Sequence, residues 1–421
     1  MIIKNYTIEI LISTLVLVLL FYSSNPVFYS DSSRYLYGSL KDPPLYFFIV
    51  TTMQSIFTTL NSVVILQTSF VGFGVIFITK SIFKYFNLNL LIKVFVALFL
   101  FLPILQFYNH LLTEPFSYAF SLLFVSFVLR LIYNFNIQNL VWCSIAVIAL
   151  LLMRNQFIFL YPVILLLYLG ILFIHRSKKK LILLTISFIS IIFISNSLIS
   201  LNKYTMGSGE SDLQGRGGSP WGGTLGEKNS SGAFDFVYID AIYISTIEDK
   251  NIFKDDDLRK TLTTIFQEAD RQKVLLANYN GRGHFGFSST VILHQSNFLL
   301  EKLAIKKNTT TANLKKEISI KLIKKNFKKY IKFIFKKFYD SSWLFVFFPF
   351  FMLLAAFPIF LKQKSNFLLF IVFISTFSLA NHSLVYLFGR VQPRYLIYTD
   401  FILLIFIFII FTILLKRNSI N

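Results

Sequence analysis

The chain has 421 residues, of which 55% are hydrophobic, 18% are aromatic and only 14% are charged. Its apolar residues are gathered into long runs, which excludes an ordinary soluble globular domain and is typical of a polytopic membrane protein. The formal net charge of +21 does not require a nucleic-acid partner, because lysines that flank membrane spans and meet anionic headgroups account for it.

The apolar runs predict about ten transmembrane helices, since a span needs about 20 mostly apolar residues. The run at 45–60 is short and follows two prolines, so we predict a juxtamembrane or re-entrant helix there, with an extra span as the alternative. The fold class is therefore an all-α polytopic membrane protein. The predicted spans are 8–22, 62–79, 90–108, 114–133, 139–153, 156–174, 181–201, 342–361, 366–388 and 397–415.

The lysines and arginines of the short loops predict the orientation of these spans. Both termini and the cluster at 175–180 fall on one side, which we take as cytoplasmic. No alanine-containing cleavage site follows the first apolar run, which favours a retained signal anchor. Three modules follow: an N-terminal transmembrane module, 1–201, with its first outer loop at 23–44; an outer soluble segment, 202–340; and a C-terminal transmembrane module, 341–421.

We expect mixed secondary structure in the outer segment 202–340. Nine of the seventeen glycines lie at 206–232, so the backbone there can lie close against a ligand. A floppy linker is the alternative, although Trp221 is a poor linker residue. The single cysteine, Cys143, falls in a predicted span, so neither an intrachain disulfide nor a cysteine-based metal site is possible.

The segment 321–338 predicts a basic amphipathic helix of the kind that lies in the plane of the lipid headgroups. Each lysine near an anionic surface adds roughly 1 kcal/mol, so we favour docking to the membrane surface over simple packing on the bundle. One face carries Lys321, Lys324, Lys325, Lys328, Lys329, Lys332 and Lys336. The other carries Leu322, Ile323, Phe327, Tyr330, Ile331, Ile334 and Phe338.

Charged residues in the first outer loop are the first candidates for chemistry. Asp31 could take a proton from a hydroxyl or stabilise a cationic transition state at an anomeric carbon; alternatively, it caps a short helix. Arg34 follows one helical turn later, where it could pair with Asp31. Lys41 and Asp42 precede two prolines, which would hold this charge pair at a set position.

Further candidates lie at the ends of later spans. Glu114 begins the fourth predicted span, where the helix dipole favours a carboxylate and Thr113 would serve as the cap. Arg154 falls between two spans that almost touch, so it needs an anionic partner or a water-filled cavity. Arg390 and Arg394 on the outer face suit a phosphate or diphosphate. We assign that phosphate to a lipid carrier, because this face receives no ordinary nucleotide sugar. His110 is interpreted as a surface or satisfied histidine.

In their order, these motifs resemble the multi-spanning C-type glycosyltransferases, especially the bacterial relatives of protein O-mannosyltransferases and the lipid A aminoarabinose transferase. "DSSRY" at 31–35 is similar to the family's Asp-Glu-x-Arg-Tyr motif. "KDPPLY" at 41–46 is similar to its Lys- or His-containing Pro-Pro-Leu-Tyr motif. Further similarity lies in "LLTEPF" at 111–116, "MRNQF" at 153–157, "SPWGG" at 219–223 and "VQPRYLIY" at 391–398.

The resemblance implies a GT-C-like architecture in the bacterial cytoplasmic membrane, with the site facing outwards. It implies transfer of a sugar from a polyprenyl-phosphate donor to a lipid, glycan or protein acceptor, with Asp31 as the base or electrostatic catalyst. Ser32 stands where the family's second acidic residue is usual, so no metal ligand is assigned and no cofactor is implied beyond the donor. The implied substrate-binding residues are Arg34, Tyr35, Lys41, Asp42, Tyr46, Glu114, Arg154, Trp221, Arg390, Arg394 and Tyr395.

Two other functions remain open at this point. A polymerase or ligase of lipid-linked oligosaccharides would share the membrane face and the arginines, but would use a diphosphate-linked oligosaccharide. A transporter or flippase would be expected to show internal repeats or broken helices in matching halves. The sequence shows no such repeat, which favours an enzyme.

Overall fold

The computed structural model describes residues 2–29, 32–37, 42–86, 90–207, 234–276, 286–388 and 393–418. These residues form helices and no strand, so the mixed secondary structure expected for 202–340 is not found in the described part of that segment. Short 3-10 helices occur at Leu102–Gln106, Asn155–Phe159 and Ile247–Ile252. The α-helices are α1 (Ile2–Tyr22), α2 (Ser32–Tyr37), α3 (Leu45–Phe57), α4 (Asn61–Phe86), α5 (Leu90–Phe101), α6 (Glu114–Tyr133), α7 (Ile137–Met153), α8 (Leu160–His175), α9 (Lys178–Gly207), α10 (Phe234–Ile244), α11 (Asp256–Leu276), α12 (Gly286–Lys306), α13 (Thr311–Lys325), α14 (Phe327–Gln363), α15 (Asn366–Phe388) and α16 (Pro393–Asn418).

Six helices within the described ranges are long and apolar enough to cross a membrane, and each coincides with a predicted span. They are Asn61–Phe86, Glu114–Tyr133, Asn155–His175, Lys178–Asn202, Leu344–Gln363 and Asn366–Leu387. The other four predicted spans correspond to shorter apolar helices, as does the run at 45–60. These are Tyr6–Tyr22, Leu90–Gln106, Ile137–Met153, Tyr395–Ile410 and Leu45–Phe57. The helices indicate a helical membrane protein, while the count of ten spans and their orientation stay predictions.

The chain divides into two compact units. The first unit contains residues 1–217, 347–381 and 397–421, and the second contains 218–346 and 382–396. The division into three sequential modules stays a prediction.

Close packing of α4 against α6 organises the first unit. A Cβ atom added at Gly74 would lie 3.2 Å from the carbonyl oxygen of Ala119 and 3.4 Å from its Cα. Small residues at such a contact let two helix backbones approach each other closely, which is a common basis of association between membrane helices.

Hydroxyl groups join three other helices of this unit. Tyr161 of α8 bonds Ser195 of α9 at 2.8 Å, and Tyr168 bonds Ser187 at the same distance. Ser144 of α7 also bonds Ser187 at 2.8 Å. Hydrogen bonds of this kind hold apolar helices together where lipid offers no competing partner.

The second unit has its own apolar core, to which α10, α11, α12 and α13 contribute. A buried ion pair lies between α10 and α14, where the Lys337 Nζ is 2.5 Å from the Asp240 Oδ2 and both side chains are 1% exposed. Burial of Asp240 raises the pKa of its carboxyl to about 6, although Lys337 acts in the opposite direction. Core residues include Tyr238, Ile242, Phe253, Leu262, Phe266, Leu300, Ile318 and Leu322.

The basic segment 321–338 is not the single helix that the sequence predicted. The chain breaks at Asn326, between α13 and α14, where the Asn326 side chain donates to Asp249 at 3.0 Å. The lysines predicted for one face are exposed. However, Leu322 and Ile334, predicted to face lipid, are 0% and 6% exposed and contribute to the protein's own packing.

Candidate functional site

The segment between α1 and α2 is attached to the chain that leads into α6. The Val27 N–H donates to the Asn109 carbonyl at 2.8 Å, and the Leu111 N–H donates to the Val27 carbonyl at 3.0 Å. The Ser32 hydroxyl, at the start of α2, donates to the Leu111 carbonyl at 2.9 Å. It also accepts from the Tyr29 N–H at 2.8 Å. These bonds hold Val27 and Ser32 close to the beginning of α6.

Two tyrosines from the predicted motifs pack together beside this attachment. Tyr35 of α2 and Tyr46 of α3 meet edge to face, with ring centroids 5.2 Å apart, and Tyr46 also contacts Phe116 of α6 at 6.0 Å. Tyr35 is 6% exposed and Tyr46 is fully buried. An apolar cluster surrounds them, formed by Val50, Val63, Leu111, Leu112 and Met153.

The Tyr46 hydroxyl makes no hydrogen bond to any residue in the described ranges. Burial, followed by the charges of Tyr35 and Glu114, raises the pKa of this hydroxyl well above its usual value. It therefore remains protonated and keeps its capacity to donate. A buried donor of this kind costs free energy unless something accepts from it.

Glu114 and Arg154 form an ion pair at the start of α6. The Arg154 Nη1 lies 2.8 Å from the Glu114 Oε1, and the Glu114 side chain is 1% exposed while that of Arg154 is 14% exposed. The same nitrogen donates to the Thr113 hydroxyl at 3.1 Å and to the Tyr398 hydroxyl at 2.7 Å. The anionic partner that the sequence predicted for Arg154 is therefore Glu114. Thr113 occupies the N-cap position but makes no side-chain cap bond.

A second set of bonded polar side chains reaches α15 and α16. The Gln156 Nε2 donates to the Asn381 Oδ1 at 2.5 Å, and the Asn381 Nδ2 donates to the Thr399 hydroxyl at 2.9 Å. Sequence reasoning missed these three residues and Tyr398. The signal available for them was the presence of polar side chains inside predicted spans, where each requires a partner.

His110 lies next to the same site, between the 3-10 helix Leu102–Gln106 and α6. Its ring packs edge-on against Tyr29 at 4.7 Å, and its carbonyl accepts from the Gln67 side chain at 2.9 Å. Burial lowers the pKa of His110 although Glu114 opposes the shift, and the lowered pKa favours the neutral ring. Its Nδ1 has no hydrogen-bond partner among the described residues, so the interpretation as a satisfied histidine does not account for this atom.

The structure brings Tyr35, Tyr46, Glu114 and Arg154 together in the first unit. Asp42 is half-buried directly before the two prolines. Arg34 falls within α2 and Arg394 within the first turn of α16. Tyr395 packs in the second unit with Val385, Tyr386 and Leu396. Four predicted residues lie outside the described residues: Asp31, Lys41, Trp221 and Arg390.

The chemistry of the site is that of a buried carboxylate held by a guanidinium, with tyrosine hydroxyls close by. Such a group can accept hydrogen bonds from substrate hydroxyls, and the arginine holds it at a set position. Within the described ranges, no three His, Cys, Asp or Glu side chains are arranged to hold a metal ion. No protein-family model matches the chain, and no curated protein is significantly similar to it.

Proposed function

We propose that the chain is an integral membrane glycosyltransferase that moves a sugar from a polyprenyl-phosphate donor to a lipid, glycan or protein acceptor on the outer face of the membrane. One observation carries the proposal. Ser32, the residue after Asp31, is bonded to the Leu111 carbonyl, three residues before the ion pair of Glu114 with Arg154. Described parts of the motifs at 31–35, 111–116 and 153–157 are thus neighbours in the fold although they are distant in the sequence.

In this proposal, Asp31 takes the proton of the acceptor hydroxyl. The acceptor oxygen then bonds the anomeric carbon as the bond from that carbon to the donor phosphate oxygen breaks, and polyprenyl phosphate leaves with the electron pair. Arg34, Lys41, Arg390 and Arg394 neutralise the charge that builds up on the leaving phosphate. The bonds and charges in this step balance without a metal ion.

Arg154 has a different role from the phosphate ligand that the resemblance implied. Its Nη1 is already directed at Glu114, Thr113 and Tyr398. We therefore assign Arg154 as a positioning residue for Glu114. The Glu114 carboxylate, together with the Tyr46 hydroxyl, is proposed to bind the hydroxyl groups of the transferred sugar.

The test is transfer from a panel of radiolabelled polyprenyl-phosphate sugars in membranes that contain the native protein, Asp31→Asn or Asp257→Asn at matched expression. Asp257 is a suitable control because it is an exposed aspartate of α11, paired with Lys306 at 2.5 Å. We expect label to leave the donor with the native protein and with Asp257→Asn, and no transfer with Asp31→Asn.

Other results would replace the proposal. Native-level transfer by Asp31→Asn would remove the catalytic assignment. Consumption of a diphosphate-linked oligosaccharide, with no use of monophosphate donors, would identify a polymerase or ligase. If no donor is consumed while labelled lipid crosses the bilayer equally with all three proteins, the chain is a transporter.

A further inference from the structure

The first part of α14 carries a stripe of exposed apolar side chains. Phe327, Ile331, Phe335 and Tyr339 recur at every fourth position and are 59%, 39%, 64% and 65% exposed, respectively. Residues four apart lie on one face of a helix. These four residues, here called the α14 stripe, therefore form a continuous apolar surface in contact with the surroundings of the second unit.

Lysines accompany the stripe along its length. Lys328, Lys332 and Lys336 each directly follow a residue of the stripe, and all three are exposed. The sequence contains no aspartate or glutamate between 327 and 339. The face therefore combines large apolar side chains with positive charge that no acidic residue of the same stretch offsets.

The side of the helix next to the stripe is already used in the protein's own packing. Ile334, three residues after Ile331, is 6% exposed, and the ring of Phe338 lies 4.2 Å from that of Tyr386. Lys337 is 1% exposed in its ion pair with Asp240. The stripe therefore borders the side of the helix that holds α14 in the second unit.

Charge and chemistry decide which occupant fits this face. A second copy of the chain would place lysines against lysines if two stripes met about a twofold axis, which is unfavourable. An anionic lipid surface offers phosphates to the lysines and an acyl boundary to the apolar side chains. Tyrosine, the residue at 339, is enriched at this depth of a membrane. In addition, Leu344, the first residue of a candidate membrane helix, follows Tyr339 by about 8 Å along α14 at 1.5 Å per residue.

We propose that the α14 stripe and its lysines bind the headgroup layer of a membrane that contains anionic phospholipids. The stripe keeps Phe327 and Ile331 from the apolar face that the sequence predicted. It lacks Leu322 and Ile334, which are buried, and adds Phe335 and Tyr339, which are exposed. The proposal does not depend on the enzymatic function.

The single cysteine makes a direct test possible. Cys143 is buried, so a Cys143→Ser background allows one environment-sensitive fluorophore to be attached to a cysteine introduced at Ile331, Phe335 or Tyr339. Ile305→Cys in α12 is the matched control, since Ile305 is an apolar residue that is 77% exposed outside the stripe. The full-length chain is reconstituted into vesicles of phosphatidylcholine alone or of phosphatidylcholine with phosphatidylglycerol, each with and without brominated lipid.

We expect blue-shifted emission and quenching by brominated lipid at 331, 335 and 339, stronger in the anionic vesicles, and neither at 305. The triple variant Lys328→Gln, Lys332→Gln, Lys336→Gln should reduce quenching in anionic vesicles to the level in phosphatidylcholine. Quenching at 339 alone would overturn the proposal, because it is the result for a helix that rises straight from the membrane. Quenching that is the same with and without anionic lipid, and is unchanged in the triple variant, would also overturn the proposal. A blue shift without quenching that grows with protein concentration would overturn it as well, because it indicates contact with a second copy of the chain.

Discussion

The guanidinium of Arg154 and the carboxylate of Glu114 lie 2.8 Å apart and join the residue after α7 to the first residue of α6. Tyr398 of α16 contacts the same guanidinium nitrogen at 2.7 Å. Three segments that are far apart in the sequence are therefore held at one point. Because Glu114 is almost completely buried, the pair is strongly coupled, and removing one member leaves the other without compensation.

We predict that Arg154→Met destabilises the protein by about 3–5 kcal/mol, since it leaves the Glu114 carboxylate buried and uncompensated. The double variant Arg154→Met, Glu114→Gln should regain much of that loss. Thermal unfolding in detergent measures both effects. The control is Arg259→Met, which removes an exposed ion pair with Asp256 and should cost less than about 1 kcal/mol. Additive effects of the Arg154 and Glu114 changes would contradict coupling between them.

Tyr398→Phe should separate function from stability. The variant keeps the ring, which packs 5.2 Å from that of Phe157, but loses the hydroxyl that accepts from Arg154. We expect a stability loss of about 1 kcal/mol. If the proposed function is right, sugar transfer falls roughly tenfold or more because Glu114 is held less firmly.

Tyr161→Phe is the matched control for this experiment. It removes a tyrosine hydroxyl bonded to Ser195 at 2.8 Å, away from the candidate site, and should cost similar stability while leaving transfer unchanged. Equal loss of transfer in both variants would show that the effect of Tyr398 is merely structural.

The Asp240–Lys337 pair predicts an unusual dependence of stability on pH in the second unit. Lys337 of α14 lowers the pKa of Asp240 by its charge and its hydrogen bond, but burial acts more strongly in the opposite direction. Burial raises the pKa of Asp240 from 3.8 to about 6. A carboxyl with a raised pKa binds its proton more tightly in the folded state than in the unfolded state. Its contribution to the free energy of unfolding is therefore complete below pH 3.8 and is lost as the pH rises through about 6. Asp240→Asn should flatten this decline, measured by hydrogen exchange across the pH range.

Asp249 provides a control, because its pKa is shifted in the opposite direction to that of Asp240. Its burial acts to raise the pKa, but hydrogen bonds from Thr246, Lys325 and Asn326 outweigh burial and lower it below 3.8. Its contribution is therefore present above pH 3.8 and is lost as the pH falls. Asp249→Asn should remove part of the loss at acidic pH and leave the slope towards pH 6 intact. If both variants changed the dependence of stability on pH in the same way, the decline towards pH 6 could not be assigned to Asp240.

Two glycines should respond differently to the same substitution. Gly74→Ala places a methyl group 3.2 Å from the backbone oxygen of Ala119, which cannot yield without moving α6, and we expect a cost of about 1–3 kcal/mol. Gly170→Ala would instead meet the end of the Leu369 side chain, which can change rotamer at a smaller cost. Thermal midpoints of the two variants measure the difference, and equal values would indicate that α6 adjusts freely.

The sequence predicted the helical class and the positions of the long apolar helices, because runs of apolar residues carry that information locally. It also indicated that Arg154 needs an anionic partner or a water-filled cavity, since burying an isolated charge is costly. Which carboxylate becomes the partner of Arg154 depends on how the helices pack. Nothing in the local sequence around Glu114 identifies it as that partner.

The same distinction explains the expectations that differed from the structure. The 3.6-residue period of 321–338 is satisfied by either one helix or two, and the break at Asn326 depends on the distant Asp249 and Ser245, which accept from its side chain. Likewise, periodicity placed Ile334 on an apolar face. It could not tell whether that face meets lipid or the protein's own core.

The hydroxyl pairs between α8 and α9 determine how these two helices align. Tyr161 and Tyr168 are two turns apart on α8, and their partners Ser195 and Ser187 are a similar distance apart on α9, with only Arg176 and Ser177 between the helices. The surrounding side chains are apolar and would tolerate sliding, but a shift of one residue would break both hydrogen bonds. The register between these two helices is therefore specified by residues within a single stretch of the chain, with no contribution needed from its C-terminal helices.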